Sequence, residues 1–269
     1  MTPAEDFLLG DDLEVGRLGF GAMRITGPGI WGEPEDPESA RRLLRHAVES
    51  GVNLIDTADS YGPEVSENLI AEALHPYPEG LVIATKGGLT RSGPNRWERD
   101  CRPERLKRCC EDSLRRLRLE RIDLYQLHAV DPKVPVEDSI GALAELQQEG
   151  KIRHVGVSNV SREELERAQQ IVAVVSVQNR YNIADRSSEE VLRACADQGL
   201  GFLPWAPLSS GRLAEPGGPV EEIARAHQAT AAQIAIAWLL QRAPVMLAIP
   251  GTSAIAHFDE TLRATGLEL

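Results

Sequence analysis

Long apolar runs are missing from this 269-residue chain. No stretch approaches the ~18 uncharged apolar residues of a membrane-spanning helix, so no part of it is expected to cross a bilayer. Residues 1–10 lack both a basic start and a long apolar core, so no leader is expected and a cytoplasmic protein is. Positive charge is in deficit. There are 29 Lys and Arg against 41 Asp and Glu, a net charge of -12. That balance argues against nucleic acid or an anionic membrane as a partner. It leaves room for a small anionic ligand, which answers to local geometry. Cysteine is sparse: Cys101, Cys109, Cys110 and Cys195 form no C-x-x-C pair and no zinc spacing. Reduced thiols are expected, with neither a disulfide framework nor a structural metal. No linker or compositional break divides residues 1–269 into domains. No exposed apolar stripe stands out, which points to a monomer.

What the chain does contain is a repeated unit. Phe7–Val15 reads as a short hairpin turning on Gly10-Asp11-Asp12. Leu18–Met23, too glycine-rich for a helix, reads as a first strand. After a loop holding Trp31, Asp36-Pro37 opens a helix as N-cap and first helical residue. Ala40, Leu43, Leu44, Ala47 and Val48 keep helical spacing, and Gly51 stops it. Further strands are predicted at Val52–Asp56, Leu81–Lys86, Ile122–His128, His154–Ser158, Val174–Gln178, Gly201–Trp205 and Val245–Ile249. Each precedes a helical pattern. Ser161–Glu164, Ser187–Glu190 and Thr230–Gln233 read as capping boxes. A long loop carrying Trp97 follows the third strand. The Lys and Arg from Arg105 to Arg121 read as the solvated face of a helix. Eight strand–helix units predict an α/β fold with a parallel sheet. In this length that means a single-domain (β/α)₈ TIM barrel, decorated by a short N-terminal β-hairpin. The active site of such a barrel lies at the C-terminal strand ends.

Those ends carry chemistry. Strands two to eight close on Asp56, Lys86, His128, Ser158, Gln178, Trp205 and Pro250, with Tyr61 in the loop beyond Asp56. Any one of them has an ordinary structural explanation: a capping Asp, a solvated Lys, a core His. Their concentration on one face does not. The reaction that fits is carbonyl reduction, in which hydride addition creates an alkoxide that needs a proton. Tyr61 is an apt donor, although a free phenol titrates near ~10. Lys86 can lower that value, and Asp56 can balance the buried ammonium. His128 can hold the carbonyl oxygen.

Eight motifs then carry a resemblance across nearly the whole length. They are Leu18-Gly-Phe-Gly-Ala-Met23, Asn53-Leu-Ile-Asp-Thr-Ala-Asp-Ser-Tyr-Gly62, Ala84-Thr-Lys-Gly-Gly88, Asp123-Leu-Tyr-Gln-Leu-His128, His154-Val-Gly-Val-Ser-Asn159, Gln178-Asn-Arg-Tyr-Asn182, Pro204-Trp-Ala-Pro-Leu208 and Ile249-Pro-Gly-Thr252. The sequence resembles the aldo-keto reductases of bacterial type. The resemblance implies an NADP(H)-dependent reductase of aldehyde or ketone carbonyls on small molecules, with NAD(H) also usable. It places the catalytic set on Asp56, Tyr61, Lys86 and His128. It assigns the nicotinamide to Ser158, Asn159, Gln178 and Trp205, and the pyrophosphate stretch to Pro207, Leu208, Ser210, Gly211 and Leu213. Met23 is shared between coenzyme and substrate, with Trp31 and Trp97 as further substrate walls. No Rossmann glycine fingerprint is present, and this family needs none.

The chain departs from the family near its end. Gly251, Thr252 and His257 stand where many relatives have a Lys-Ser pair and an Arg around the 2′-phosphate. Thr261 replaces an Asn that often contacts adenine. The grip on NADPH is therefore expected to be weakened, with His257 as its titratable part. The chain also ends soon after the last helix, so an open substrate pocket is expected. Three other readings compete. A nucleotide-sensing, channel-associated subunit shares the resemblance but not the need for an intact catalytic set. A Schiff-base aldolase would use Lys86 as nucleophile. A metallohydrolase lacks any ligand cluster around His128.

Overall fold

The computed structural model describes residues 6–208 and 220–269. β1 (Asp6–Leu9) and β2 (Leu13–Gly16) pair antiparallel with Leu9 opposite Leu13, as the turn residues predict. Gly10 and Asp11 take φ of 57° and 67°, the left-handed region that glycine tolerates freely and Asp more readily than most residues.

Seven parallel strands follow: β3 (Phe20–Gly21), β4 (Leu54–Asp56), β5 (Val82–Gly87), β8 (Ile122–Leu127), β9 (Ile152–Ser158), β10 (Val174–Gln178) and β11 (Gly201–Phe202). They lie side by side in chain order, and the sheet curls. The expected eighth strand, 245–249, does not form a continuous ladder. It makes single parallel bridges, Met246 with Phe202 and Ala248 with Leu18. Its main-chain bonds nevertheless reach both edges. Phe202 N donates to Val245 O and Gly19 N donates to Ala248 O, each at 2.8 Å. Pro244 and Pro250 flank the segment and cannot donate to a ladder. The first and seventh strands are also shorter than expected. Ala22–Ile25 turns into a 3₁₀ helix holding Met23, and Pro204 separates Phe202 from Trp205, which bridges Arg180 alone.

α1 (Pro37–Glu49), α2 (Val65–Leu74), α3 (Pro103–Leu117), α4 (Val136–Gln148), α5 (Arg162–Gln169), α6 (Glu189–Gln198), α7 (Glu221–Ala226), α8 (Ala231–Arg242) and α9 (Ile255–Leu262) complete the described chain. α1 starts as its sequence dictates: Asp36 accepts from Ser39 N at 2.9 Å, Pro37 occupies the first turn, and Gly51 leaves at φ 96°. The boxes at Ser161 and Thr230 form. The one at Ser187 does not. Ser188 is the N-cap of α6, while the Ser187 hydroxyl donates to Asp185 Oδ1 at 2.8 Å. A local Asp side chain has outcompeted the helix end. Among the described residues no helix is long and apolar enough to cross a membrane.

The period-two alternation of the strands sorts the core. Leu54, Val82, Ala84, Leu124, Val175, Leu203 and Leu247 form an inner cluster closed below by Leu9, Leu13 and Val15 of the hairpin. Ile55 and Ile83, and Tyr125 and Val155, face the other way, into two layers beneath the helices. Full burial of such an aliphatic residue contributes about 1.5–3 kcal/mol. The inner positions continue upward into polar residues: Asp56 above Leu54, Lys86 above Ala84, Gln126 above Leu124. Gly156 makes room there, since a Cβ would lie 2.8 Å from Gln126 Cγ.

Two expectations fail on the outside. The Trp97 loop is an antiparallel hairpin, β6 (Leu89–Gly93) with β7 (Arg96–Arg99), turning on Pro94-Asn95. The basic face of α3 is only partly solvated. Arg116 pairs with the fully buried Glu67 at 2.6 Å, and Glu67 also accepts from Thr85 Oγ1 at 2.6 Å.

Candidate active site

Asp56 ends β4 and Lys86 nearly ends β5, so the register of neighbouring parallel strands brings them together. Lys86 Nζ donates to Asp56 Oδ2 at 2.8 Å and to Thr57 O at 2.7 Å. Asp56 Oδ1 accepts from Gln178 Nε2 at 2.8 Å and Gln126 Nε2 at 3.2 Å. The carboxylate thus accepts from one cation and two amides, which is how a buried ion pair is kept. Lys86 Nζ lies 5.2 Å from the centre of the Tyr61 ring. His128 follows β8, with Nδ1 3.3 Å from Ser60 Oγ, and its ring meets Tyr61 edge-on at 5.8 Å.

The protonation states follow from burial and charge. Burial alone would lower the Lys86 pKa, but Asp56 and the Tyr61 phenol reverse that, and it is raised. Lys86 stays an ammonium. The Tyr61 phenol was expected to be lowered by this ammonium; it is raised instead. Burial dominates, and Asp56 offsets much of the Lys86 attraction. Tyr61 therefore holds its proton. His128 is pushed well below the ordinary imidazole value, by burial first and Lys86 second, and is neutral at pH 7.

Behind this cluster lies a second carboxyl. Asp59 is 7% exposed, its Oδ1 has no hydrogen-bond partner, and its pKa is pushed up to about 7 by burial and by Glu67. The folded protein keeps this proton until about pH 7, whereas the unfolded chain releases it near ~4. Stability from this group is complete below pH ~4 and declines as pH rises towards 7. The Asp59→Asn variant should lack that decline. Between pH 5 and 8 it should gain about 2.6 kcal/mol relative to wild type in paired urea titrations. A difference independent of pH would show that Asp59 is ionised throughout.

A cavity of about 640 Å³ opens above these groups, lined by Asp56, Tyr61, His128, Ser158, Asn159, Gln178 and Trp205. Small-molecule sites commonly have this size. Ser158 Oγ donates to Gln178 O at 2.7 Å, and Trp205 Nε1 donates to Asn159 Oδ1 at 2.9 Å. Met23, Trp97, Pro207, Leu208, Gly251 and Thr252 also line the cavity. Trp31 does not: its ring lies 5.8 Å from the Arg91 guanidinium and outside the cavity lining. His257 does not either. Helical period turns Phe258 and Thr261 inward on α9 and leaves His257 exposed. Thr261 bonds back to Phe258 O at 2.8 Å. Ser210, Gly211 and Leu213 lie outside the described residues.

Sequence reasoning missed Arg24, Ile30 and Leu89, which line the cavity. It also missed Arg91, which ties the rim together. Arg24 directly follows Met23 and could have been read as a cation at the first strand end. Gly93-Pro94-Asn95, a turn signal between Leu89 and Trp97, could have marked the hairpin.

Fold and site together define an α/β protein with a parallel, curled sheet and a buried carboxylate–ammonium–phenol–imidazole set at its strand ends. The family model "Aldo/keto reductase family" matches residues 17–269. The chain belongs to the aldo/keto reductase family. An uncharacterized oxidoreductase of Schizosaccharomyces pombe is 50% identical over 258 residues, 96% of this chain and 84% of that one. Pyridoxine 4-dehydrogenase of Escherichia coli is 42% identical over 261 residues, 95% of this chain and 91% of that one. An aldo-keto reductase from Klebsiella pneumoniae in complex with NADPH superposes with a TM-score of 0.83 at 26% identity, covering 100% of this chain and 92% of that one.

Proposed function

We propose that this chain is a (β/α)₈-barrel reductase that converts aldehydes or ketones to alcohols with NADPH. One observation carries the reading: a buried Asp56–Lys86 pair beside a phenol and an imidazole that are both neutral, on the floor of one cavity. The lining suits a nicotinamide dinucleotide. It offers the amides of Asn159 and Gln178, the indole of Trp205 and the cation of Arg24. NADPH, when bound, supplies the hydride to the carbonyl carbon. Tyr61 gives its hydroxyl proton to the carbonyl oxygen, and Lys86 stabilises the phenolate left behind. Solvent then returns the proton. Neutral His128 orients the carbonyl oxygen with its ring N–H. Trp205, Ser158, Asn159 and Gln178 are the residues that would hold the nicotinamide.

The substrate reading is a flat aromatic aldehyde of the pyridoxal type. It draws on the likeness to pyridoxine 4-dehydrogenase and on the aromatic wall of Trp97 against Tyr61 and His128. The test is loss of NADPH absorbance with pyridoxal, substituted benzaldehydes, quinones, small aliphatic aldehydes and ketones. Turnover, fastest with the aromatic aldehydes, is expected. No oxidation with any carbonyl would defeat the reading.

Coenzyme preference has its own test. The cation missing from the family positions near the chain end is supplied in this reading by Arg24, beside Gly251, Thr252 and Ser253. A charged hydrogen bond is worth about 1.5–3 kcal/mol, so Arg24→Ala should raise the NADPH dissociation constant about tenfold or more. NADH binding should change little. Equal losses for both coenzymes, by fluorescence titration, would remove Arg24 from the 2′-phosphate.

A further inference from the structure

Arg91 belongs to neither the proposed catalytic set nor the proposed coenzyme set, yet it is among the most completely bonded side chains of the described residues. A guanidinium carries five N–H donors in a fixed plane, and here each has an acceptor. Nε donates to Arg96 O at 3.1 Å. Nη1 donates to Ile30 O at 2.7 Å and Ser60 O at 3.0 Å. Nη2 donates to Gly29 O at 2.9 Å and Gly93 O at 3.4 Å. All five acceptors are main-chain carbonyls, and they belong to three separate segments. One segment carries Ile30, one leads straight into Tyr61, and one is the β6–β7 hairpin carrying Trp97. The guanidinium also lies 3.7 Å above the Trp97 ring.

The rim needs such a tie. An isolated two-stranded hairpin is marginal in water, and every residue of β7 is exposed, Trp97 to 37%. Trp97 nevertheless meets Tyr61 at 6.3 Å and His128 at 6.4 Å, both edge-on. An exposed ring holds such a relation only if its hairpin is anchored to the segments beneath. Arg91 spans all of them with one rigid group. Because its donors are consumed by carbonyls, it has none left for an anionic substrate.

We propose that Arg91 is a positioning residue that assembles the carbonyl-facing wall from three loops, and so sets the preference for flat aromatic carbonyls over small ones. This rests on the reductase reading for its kinetic consequence, but not for the tie itself. Lysine keeps the charge with only three donors on a tetrahedral centre, and methionine keeps part of the stem with none. Misplacing a binding surface by about 1 Å can cost up to ~10²-fold. In Arg91→Met and Arg91→Lys, the ratio of kcat/KM for pyridoxal to that for propanal should fall about tenfold, mainly through the KM for pyridoxal. The dissociation constant of NADPH, whose proposed contacts (Arg24, Ser158, Asn159, Gln178 and Trp205) do not include Arg91, should stay within about twofold, well inside the tenfold that 1.4 kcal/mol represents. Amide hydrogen exchange should accelerate together at 28–32, 60–62 and 89–99 in both variants. That exchange experiment needs no turnover: a wild type inert towards every carbonyl would overturn the reductase reading and leave the tie to be judged by exchange alone. Exchange that rises only within the hairpin would overturn the proposal. So would a wild-type pyridoxal-to-propanal ratio in Arg91→Lys, because the charge without the five-donor fork would then suffice.

Discussion

Replacing Tyr61 with Phe should lower turnover by about 10²–10⁴-fold, the usual contribution of a general acid, while NADPH affinity hardly changes. The substitution removes one oxygen and keeps the ring that packs against His128 and Trp97. The wall of the cavity should therefore survive. Burial and Asp56 together hold the phenol above its ordinary pKa, so wild-type Tyr61 is protonated across the neutral range. That is the state a proton donor needs. In the proposed reaction the proton would leave as negative charge develops on the carbonyl oxygen, which would make the interaction specific to the transition state. Both kcat and kcat/KM should fall together. Single-turnover absorbance with saturating NADPH separates this from slow product release. Wild-type rates in Tyr61→Phe would rule the phenol out as the acid.

Removing Lys86 should have two large effects at once. In Lys86→Met the Asp56 carboxylate keeps its bonds from Gln178 and Gln126 but loses the Lys86 cation. Breaking a fully buried pair on one side costs about 3–5 kcal/mol, because a charge is left uncompensated. Turnover should fall by about 10²–10³-fold, as for loss of a preorganised electrostatic partner, since in the proposed reaction the Lys86 ammonium stabilises the phenolate after proton transfer. The double variant Asp56→Asn with Lys86→Met removes both charges and should be more stable than the sum of the singles predicts. Urea unfolding of the four proteins gives the coupling energy. A Lys86→Met protein as stable as wild type would mean the pair is not held as a buried ion pair.

The difference between Tyr61 and Lys86 shows what sequence reasoning reached. Both were legible as chemistry, because each lies where a short apolar run meets a polar loop. The direction of the phenol shift was not legible. It depends on whether burial or the ammonium prevails, and burial is a property of packed neighbours. The same reasoning explains the basic face of α3. A run of Lys and Arg on a polar stripe reads as solvated, yet Glu67 of α2 meets Arg116 across the helix interface. Nothing local to α3 announces that partner.

By itself the sequence determined the alternation of strands and helices, the caps at Asp36, Ser161 and Thr230, and the strand-end positions of Asp56, Lys86, His128, Ser158 and Gln178. These are local matters: periodicity, capping chemistry, and the point where apolar residues stop. Tertiary structure decided the rest. It made 245–249 a pair of single bridges, because prolines on both sides deny a ladder. It turned His257 to solvent and brought Arg24 to the cavity wall, because helix phase and loop path choose between residues equally available in the chain. It drew five carbonyls from three loops onto Arg91. Those carbonyls have no side-chain identity that a sequence can display, and only the folded backbone brings them within reach of one guanidinium.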